Sequence, residues 1–536
     1  MNTALYYHQR TKHYPDKLAK SLGYLDWANQ PEPFRFYEGT KKIELPLLKQ
    51  DPNCSYKALY DRKLCNSQPI NIDTISKFLE LALGLSAWKS IPGSQWSLRM
   101  NPSSGNLHPT ESYLIIPDYD HLNGVYHYNP FLHALEERAI LNQEIIKTLK
   151  EFYKTDCFLV ALTSIFWREA WKYGERAYRY CQLDTGHAIA TISFSASLLG
   201  WKVKYLNAVS DEEIKVLLGF DKTKWIKDEE EFPEALLLVY KNDVDIIPDI
   251  PQNIVEEFSK LKFKGIPNRL SKEHVRWDII YEVAEFVEKP RTKPEKYKLL
   301  QKPILWLKDS PYKASEIIRK RRSAVAYDRQ THIDKETFFH ILDKTIPRKE
   351  INPFDTEIYN PTINLLLFVH RIYDLPKGIY FLFRYEDDKE EIMKKTRKEF
   401  MWKKVSDDLE LYLLYTGDFE FTAKVVSCKQ DIAGDSSFSL GMIAKFKGLV
   451  EKKPWLYRNI HWEAGMIGQV LYLEAEAHNI RGTGIGCFFD DLVHEILGFE
   501  DNSYQTVYHF TAGGHLEDTR LRTFPPYYYL EEIRGK

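Results

Sequence analysis

The apolar residues of the chain alternate between short runs and long helical patterns. Runs such as SYLIIP at residues 112–117 and ALLLVY at residues 235–240 predict buried strands. Two longer stretches, from about Glu169 to Leu199 and from about Asn459 to His478, predict long helices. Because helices and short strands are mixed along the chain, the pattern indicates an α+β fold with a layered sheet.

An internal repeat organises these elements. Three motifs recur at a single offset of 279 residues: Tyr178-Arg179 as Tyr457-Arg458, Gly186 as Gly465, and the LLGF from Leu217 as the ILGF from Ile496. One such match would be chance, but three in one register indicate a duplication. The two predicted long helices are therefore the same element of two diverged copies.

The register of the repeat changes upstream of the long helices. GVYHY at Gly124 matches GIYFL at Gly378, and INID from Ile70 resembles THID from Thr331. The second copy consequently carries extra residues between Gly378 and Tyr457. The charged run DDKEEIMKKTRKEF lies in this insertion and is typical of a solvated surface helix.

The boundary between the copies falls in a Pro- and Lys-rich segment that includes EKPRTKPEKYK, because prolines interrupt regular elements and stiffen linkers. A short amphipathic helix is expected inside it, from His274 to Val287. The predicted organisation is an N-terminal extension packed on the first domain (1–50), a first domain (51–246), the linker (247–303) and a second domain (304–536).

A first candidate binding motif is RMNPSSGNLHPTESY, residues 99–113. Its Pro, Ser, Gly and Asn residues predict a tight turn with exposed backbone N–H groups. The small side chains would let a planar ligand approach the backbone closely. The alternative is an ordinary surface turn, which has the same composition.

A second candidate binding motif is IIRKRRSAVAYD, residues 317–328. Two arginines and a serine at the start of an element can hold a phosphate through charge-assisted, forked hydrogen bonds. The alternative is a solvated basic patch on the surface. Neither motif identifies a ligand when it is taken alone.

Together these motifs resemble those of the nitroreductase superfamily of flavoproteins and, more narrowly, of its SagB/ThcOx-type dehydrogenases. The resemblance also rests on REAWKYGERAYRYCQLDTGH from Arg168, GTGIGCFFDD from Gly482 and GGHLEDTRLR from Gly513. It implies an α+β sandwich that dimerises through its long helices and binds FMN in the dimer groove. For a duplicated chain, it implies two tandem nitroreductase-like FMN-binding domains that form an intramolecular pseudo-dimer.

The resemblance also implies how such a groove binds FMN. The RRS element and a late basic residue hold the phosphate, and the turn of the other copy contacts the ring. The implied cofactor-binding residues are Arg99, Pro102, Ser103, Ser104, Gly105 and Asn106 of the first copy, and Arg321, Arg322, Ser323, Gly484, Ile485, Gly486 and Arg520 of the second. GTGIG lacks the last glycine of a dinucleotide fingerprint and follows a helix, which argues against a Rossmann fold.

The second groove of the pseudo-dimer is expected to be degenerate. At the positions of the RRS element, the first copy has Tyr60, Asp61 and Arg62, and an aspartate there would repel a phosphate. Opposite the PSSGN turn, the second copy has EIYNPTIN from Glu357, which lacks the Ser-Gly core. The sequence therefore predicts one FMN per chain.

The candidate catalytic residues are Lys172 and Tyr173. Removing a hydride from a substrate requires a group that takes the accompanying proton, and an adjacent Lys and Tyr are implicated in this step in SagB/ThcOx-type dehydrogenases. The second copy has Glu451 and Lys452 at these positions, so the pair occurs once. The alternative is an exposed lysine beside a core tyrosine. His187 either faces the flavin or is a satisfied core histidine.

Composition mainly excludes other classes of protein. The net charge of −2 gives no reason to expect a nucleic-acid or membrane partner. No apolar stretch of the sequence is typical of a signal peptide or a membrane span. The six cysteines fit neither a disulfide scaffold nor a zinc site, and the His, Asp and Glu residues show no metal-ligand spacing. These features favour a cytoplasmic protein without a metal.

The expected function is that of an FMN-dependent oxidoreductase, a SagB/ThcOx-type dehydrogenase that removes a hydride and a proton from a small heterocyclic or peptide-derived substrate. One alternative is an NAD(P)H-dependent nitro- or quinone reductase. Another is a degenerate flavin-binding protein without turnover. Because a pseudo-dimer satisfies the family's interface within one chain, both a monomer and a homodimer are consistent with the sequence.

Overall fold

The computed structural model describes residues 2–241 and 243–534. The helices up to the end of the linker are α1 (Thr3–Arg10), α2 (Ile72–Leu83), α3 (Gln143–Tyr153), α4 (Phe166–Tyr173), α5 (Ala177–Leu198), α6 (Asp211–Leu218), α7 (Ile254–Ser259) and α8 (Asp278–Phe286). The strands of the same part are β1 (Tyr37–Glu38), β2 (Lys42–Glu44), β3 (Leu85–Ile91), β4 (Ser94–Arg99), β5 (Thr110–Tyr119), β6 (Leu122–Asn129), β7 (Ala134–Ile140), β8 (Cys157–Ser164), β9 (Lys202–Tyr205), β10 (Phe232–Tyr240) and β11 (Ile266–Pro267).

The helices after the linker are α9 (Ala314–Lys320), α10 (Lys335–Lys344), α11 (Lys389–Lys395), α12 (Glu420–Val426), α13 (Asp431–Asp435), α14 (Lys447–Lys452), α15 (Leu456–Ala477), α16 (Leu492–Leu497) and α17 (Tyr528–Arg534). The strands are β12 (Ile363–Val369), β13 (Gly378–Leu382), β14 (Lys403–Lys404), β15 (Leu411–Thr416), β16 (Phe438–Lys445), β17 (Arg481–Ile485), β18 (Tyr504–Gly513) and β19 (Arg522–Phe524). The predicted charged helix is α11. None of the helices in the described ranges has both the length and the hydropathy that a membrane span needs.

Each half of the chain contains a seven-stranded antiparallel sheet. The strand orders are β2-β7-β6-β5-β8-β10-β9 and β14-β15-β13-β12-β16-β18-β17. Apart from the edge strands β2 and β14, corresponding strands follow one another in the same order along the chain. Adjacent residues of β5 face opposite sides, since Leu114 belongs to the core shared by both halves and Ile115 to an outer cluster. Both faces are covered, which explains the almost continuous apolar runs.

Helices α5 and α15 pack against each other at the centre of the molecule and cross at Gly186 and Gly465. A Cβ added to Gly186 would clash with the backbone of Trp462, and one added to Gly465 would clash with the backbone of Leu183. Only glycine permits this close approach of the two helices. The crossing explains why a glycine recurs at this position of the repeat.

Replacing Gly186 with Ala is expected to destabilise the protein by about 1–3 kcal/mol, because an extra methyl group overpacks the helix crossing. Gly448→Ala is the matched control, since Gly448 lies in α14 with open space around it. That change should be neutral or stabilise by up to about 1 kcal/mol. Urea unfolding followed by circular dichroism measures both. A wild-type midpoint for Gly186→Ala would contradict the tight crossing.

The single helix expected from about Glu169 to Leu199 was wrong. The structure has two helices, α4 and α5, separated by a turn at Gly174–Arg176. Gly174 has a φ of 54°, in the left-handed region that favours glycine. A Cβ on Gly174 would clash with the backbone carbonyl of Lys20. The N-terminal segment therefore packs against the point where the helix breaks.

Segments from the termini and the linker cross between the main parts of the fold. β2, in the predicted N-terminal extension, pairs with β7 at the edge of the first sheet. β19, which follows the last strand of the second sheet, pairs with β3 of the first half. In the linker, α8 lies where a helix was expected, whereas α7 was not predicted. The two halves are thus joined by the pairing of β19 with β3, in addition to the covalent linker and the crossing of α5 and α15.

Cys54 and Cys65 are joined in a disulfide, although the spacing of the cysteines did not indicate a disulfide scaffold. Short 3-10 turns at Tyr56–Leu59 and Arg62–Leu64 fold the intervening segment back, so that the two Cα atoms lie 6.0 Å apart. This separation is ordinary for a disulfide. A sequence separation of 11 residues carries no motif, and the proximity arises only from the local fold.

Candidate active site

A cavity of about 630 Å³ lies between the two halves of the chain. Its wall combines the turn after β4 and part of α5 with the residues after α9, the end of β17 and the segment between β18 and β19. The predicted cofactor residues on the wall are Arg99, Pro102, Ser103, Ser104, Gly105, Asn106, Arg321, Arg322, Ser323, Gly484, Ile485 and Gly486. The motifs that sequence analysis assigned to one groove therefore face one space.

The turn after β4 is held by its own backbone and by α5. Gly105 and Asn106 have positive φ values of 61° and 59°, which glycine and asparagine tolerate better than most residues. Asp184 of α5 accepts hydrogen bonds from the Ser104 backbone N–H at 3.0 Å and from its hydroxyl at 3.1 Å. The Asn106 side chain donates to the Ser97 carbonyl at 2.9 Å. These bonds fix the shape of the turn at the cavity wall.

Three arginines on the wall, the buried Arg99 and Arg321 and the half-buried Arg322, have no acidic partner. In the described part of the chain, no carboxylate lies within ion-pair distance of their guanidinium groups. Arg321 donates to the Arg99 carbonyl at 3.0 Å, and Arg322 donates to the Ser86 carbonyl at 3.1 Å. The Nε atoms of Arg99 and Arg321 have no hydrogen-bond partner among the described residues.

These arginines fit an anion. Burial lowers the pKa of Arg99 and of Arg322 to about 10, and it lowers the pKa of Arg321 as well. Because a buried cation without a counter-charge is destabilising, a bound anion would stabilise the arrangement. A phosphate accepts forked hydrogen bonds from guanidinium groups. Ser323, whose hydroxyl lies 2.8 Å from that of Tyr472, adds a neutral donor beside them.

The glycines at the end of β17 keep the opposite part of the wall flat. A Cβ on Gly484 would clash with the Tyr508 hydroxyl, and a Cβ on Gly486 would clash with the ring of Tyr180. The backbone N–H of Gly484 donates to the Tyr472 hydroxyl at 2.9 Å. Backbone and aromatic rings without intervening side chains form a surface that a planar ligand can approach.

Lys172 and Tyr173, at the end of α4, reach the turn that follows β4. A Cβ added to Gly105 would lie 2.6 Å from the Tyr173 hydroxyl and 3.1 Å from Lys172 Nζ. Tyr173 lines the cavity, and Lys172 Nζ lies 5.2 Å from the centre of the Tyr173 ring. Burial raises the pKa of Tyr173 well above its usual value, so its hydroxyl stays protonated at neutral pH. The predicted proton-transfer pair is thus next to the predicted ring-binding turn.

Two carboxyl groups beneath the turn were not predicted from the sequence. Asp184 lines the cavity, and Glu169 accepts a hydrogen bond from the Ser103 hydroxyl at 3.4 Å. Burial raises the pKa of Asp184 to about 7 and raises that of Glu169 as well, and the two groups share a hydrogen bond. The pair therefore holds a proton near neutral pH. Asp184 precedes His187 by three residues, so the two side chains share one face of the helix. This spacing could have indicated Asp184 as a residue of the same site.

His187 lines the cavity and is also hydrogen-bonded within the core. Its ring nitrogens lie 3.1 Å from Gln469 Oε1 and 3.2 Å from the Tyr508 hydroxyl. Burial lowers the pKa of His187 to about 3, which keeps the ring neutral at physiological pH. A neutral ring with both nitrogens occupied is suited to shaping the wall rather than to carrying charge.

Arg520 lies outside the cavity wall, unlike the other predicted cofactor-binding residues. Its side chain is 85% exposed and pairs with Asp518 at 2.8 Å. The late basic residue that does line the cavity is Arg481. Arg481 pairs with Glu476 at 3.2 Å and with Glu517 at 2.8 Å, so its charge is already balanced.

The counterpart groove, on the other side of the helix pair, is filled by the linker. At the offset of 279, the cavity-lining positions of α5 correspond to Asn459, Glu463 and Met466 of α15. These residues border a gap of only about 20 Å³. The linker residue Tyr297 packs there, with its ring centre 5.2 Å from that of Tyr359. The two grooves of the fold are therefore strongly asymmetric.

Comparison with known proteins finds a family match in the first half of the chain. Residues 61–227 match the nitroreductase family. The chain contains a nitroreductase-family domain. It is 26% identical over 164 residues to a nitroreductase-like protein of Methanocaldococcus jannaschii, a match that covers 29% of this chain and 78% of that protein.

The comparison of structures extends the nitroreductase-like fold to the whole chain. A crystal structure of a nitroreductase-like protein from Anabaena variabilis has a TM-score of 0.68 and 22% sequence identity. The similarity covers 96% of this chain and 100% of that one. At this level of identity the likeness establishes the arrangement of helices and sheets and leaves the chemistry to be argued from the site.

Proposed function

We propose that the chain is an FMN-dependent oxidoreductase with one flavin site, formed between two diverged copies of a nitroreductase-like domain. The observation that carries this proposal is the set of arginines without acidic partners, which share one cavity wall with the rigid turn after β4 and the glycines at the end of β17. FMN has a phosphate that matches the arginines and a planar ring that matches the turn. The nitroreductase-family match favours the same class of enzyme.

The duplication and the pseudo-dimer are supported by the repeat together with the fold. The two sheets share their strand order apart from the edge strands. The recurring glycines Gly186 and Gly465 lie at the crossing of the two equivalent helices. In this proposal the crossing of α5 and α15 replaces the dimer interface that the family resemblance implies. The filled counterpart groove leaves one flavin site per chain.

The residues divide into a phosphate end and a ring end. Arg321, Arg322 and Ser323 would hold the phosphate, and the backbone at Gly105 and Gly484 would approach the ring. FMN, when bound, supplies the acceptance and donation of a hydride equivalent. The chain supplies a preformed cavity and groups that move a proton at defined atoms.

The proton groups favour a dehydrogenase of the SagB/ThcOx type. A substrate that loses a hydride must also lose a proton, and the Tyr173 hydroxyl and Lys172 Nζ lie together beside Gly105. The hydrogen-bonded carboxyl groups of Asp184 and Glu169 lie under the same turn and can hold that proton. A small heterocyclic or peptide-derived substrate would give up its proton at this end of the cavity.

The family match favours a second candidate function, NAD(P)H-dependent reduction of a nitroarene or a quinone. NAD(P)H donates a hydride without losing a proton to the protein, so this reaction does not need Lys172. Anaerobic mixing separates the two. Flavin bleaching by NAD(P)H that survives Lys172→Ala supports the reductase, and bleaching by an azoline-containing peptide alone supports the dehydrogenase. A flavin that neither donor reduces supports a non-catalytic flavoprotein.

The purified protein is expected to be yellow and to contain about one FMN per chain. The reason is the asymmetry of the grooves, one of about 630 Å³ and one of about 20 Å³. Flavin released by heat and quantified by chromatography against protein concentration gives the ratio. A ratio near two, or FAD in place of FMN, would rule out the single-site proposal.

A further inference from the structure

Two half-exposed cysteines meet at one end of the cavity. Cys487 lies on the cavity wall directly after β17, and Cys428 follows α12. The Phe489 backbone N–H donates to the Val426 carbonyl at 2.8 Å, and the Gln430 side chain donates to the Cys487 carbonyl at 3.0 Å. These bonds hold the two loops together on both sides of the thiols. The Phe489–Val426 bond therefore places Cys428 and Cys487 at opposed positions of the two loops, and each thiol shifts the pKa of the other.

A histidine from the N-terminal segment, His13, also lowers the pKa of Cys487. The Ala19 backbone N–H donates to His13 Nδ1 at 2.9 Å, so the neutral ring carries its proton on Nε2. The Nε2–H group is therefore what His13 can offer to Cys487, whose pKa His13 lowers. The hydrogen bonds from Cys428 and His13 lower the pKa of Cys487 to about 5 despite its burial, whereas the pKa of Cys428 is raised.

The charges around Cys487 also favour its thiolate form. Arg176 donates to the Gly486 carbonyl at 3.3 Å and pairs with Asp490 at 2.9 Å. Asp490 is shared with a second cation, Arg179, at 2.6 Å. Two arginines therefore face one carboxylate, which leaves the local environment positive. A half-exposed thiol in a positive environment beside a second thiol is the arrangement of reactive cysteines in other proteins.

We propose that Cys487 and Cys428 form a reversible dithiol–disulfide pair that reacts with small-molecule disulfides entering the cavity. The Cys487 thiolate attacks one sulfur of the small disulfide, and one thiolate leaves while a mixed disulfide forms on Cys487. Cys428 then gives its proton to the departed thiolate, and its sulfur attacks Cys487 to release the second small thiol after protonation. Two protein thiols are oxidised to one disulfide, and one small disulfide is reduced to two thiols.

The proposed exchange does not use the flavin, and the other cysteines provide its internal controls. Cys157 and Cys181 are buried, and burial raises the pKa of each thiol. Cys54 is already bonded to Cys65. Cys487 should therefore react first with an alkylating agent.

Alkylation of the full-length protein tests the reactivity. With iodoacetamide at pH 6.5, mass spectrometry should show Cys487 modified at least about tenfold faster than Cys428, Cys157 or Cys181, because an ordinary thiol is roughly 1% ionised at that pH. His13→Gln should move the pH midpoint of this reaction upward by about one unit. Preferential alkylation of any other cysteine, or an unchanged midpoint in His13→Gln, would overturn the assignment of Cys487 as the activated thiol.

Oxidised glutathione tests the pair. The wild-type protein and the control Cys157→Ser should both form a Cys428–Cys487 disulfide that dithiothreitol reverses. Cys428→Ser should instead accumulate a stable glutathione adduct on Cys487, and Cys487→Ser should form neither product. Failure of the wild-type protein to form this disulfide, or of Cys428→Ser to retain the adduct, would overturn the proposal whatever the flavin content of the sample.

Discussion

Lys172→Ala and Tyr173→Phe should each slow substrate-driven flavin reduction by about 10²–10⁴-fold, the contribution typical of a positioned proton-transfer group. The two reactive groups lie together beside Gly105, and of the two residues Tyr173 lines the cavity. Neither belongs to the arginine set that would hold the phosphate. Flavin occupancy and folding should therefore survive, and the loss should be one of rate rather than of binding.

Anaerobic stopped-flow absorbance with a substrate that must lose a proton measures this effect. Dithionite, which needs no general base, should reduce the flavin of every variant at the wild-type rate. Lys452→Ala is the matched control, since Lys452 belongs to the corresponding pair of the second copy and is exposed. Wild-type rates with the proton-losing substrate in both Lys172→Ala and Tyr173→Phe would give the pair a structural role only, and would favour the reductase or a non-catalytic flavoprotein.

Much of the cavity could be predicted because its parts are local motifs. The PSSGN turn, the RRS element and the glycines of GTGIG each have a composition that determines their local shape. The repeat then placed them in one groove, and the positions of Arg99 and Arg321 on one wall agree with that assignment. The helix break could not be predicted, because a single glycine such as Gly174 is compatible with a helix. The backbone that packs against Gly174 belongs to Lys20, which is remote from it in sequence.

Other features of the site depend on tertiary contacts that no local pattern contains. Burial raises the pKa of Asp184, and its hydrogen-bonded neighbour Glu169 lies on a different helix in the structure, although the sequence predicted one helix for both. The second groove was expected to be degenerate because of Asp61 and the missing Ser-Gly core, whereas in the structure the linker around Tyr297 fills it. The contact between Cys428 and Cys487 joins loops that are separated by 59 positions in the chain. In each case the deciding partner is remote in sequence.

Arg321→Ala should weaken FMN binding roughly ten- to a hundredfold, because losing a hydrogen-bonded charge contact costs about 1.5–3 kcal/mol. Arg321 is 4% exposed and lacks an acidic partner among the described residues, so its charge is available to a phosphate. Arg62→Ala is the control from the degenerate groove. Arg62 pairs with Asp243 at 3.1 Å and with Asp355 at 3.8 Å, so its charge is already balanced. That variant should bind FMN with nearly wild-type affinity.

Two measurements separate a binding role of Arg321 from a structural one. Fluorescence quenching of FMN titrated with flavin-free protein gives the affinity, and thermal unfolding with and without FMN gives the stabilisation by the ligand. Because an unpaired buried cation is destabilising until an anion binds, flavin-free Arg321→Ala should be as stable as the wild-type protein or more stable, while its gain in Tm with FMN shrinks. Loss of stability without any loss of FMN affinity would make Arg321 structural. Loss of FMN in Arg62→Ala with retention in Arg321→Ala would mean that the phosphate is held by the first copy instead.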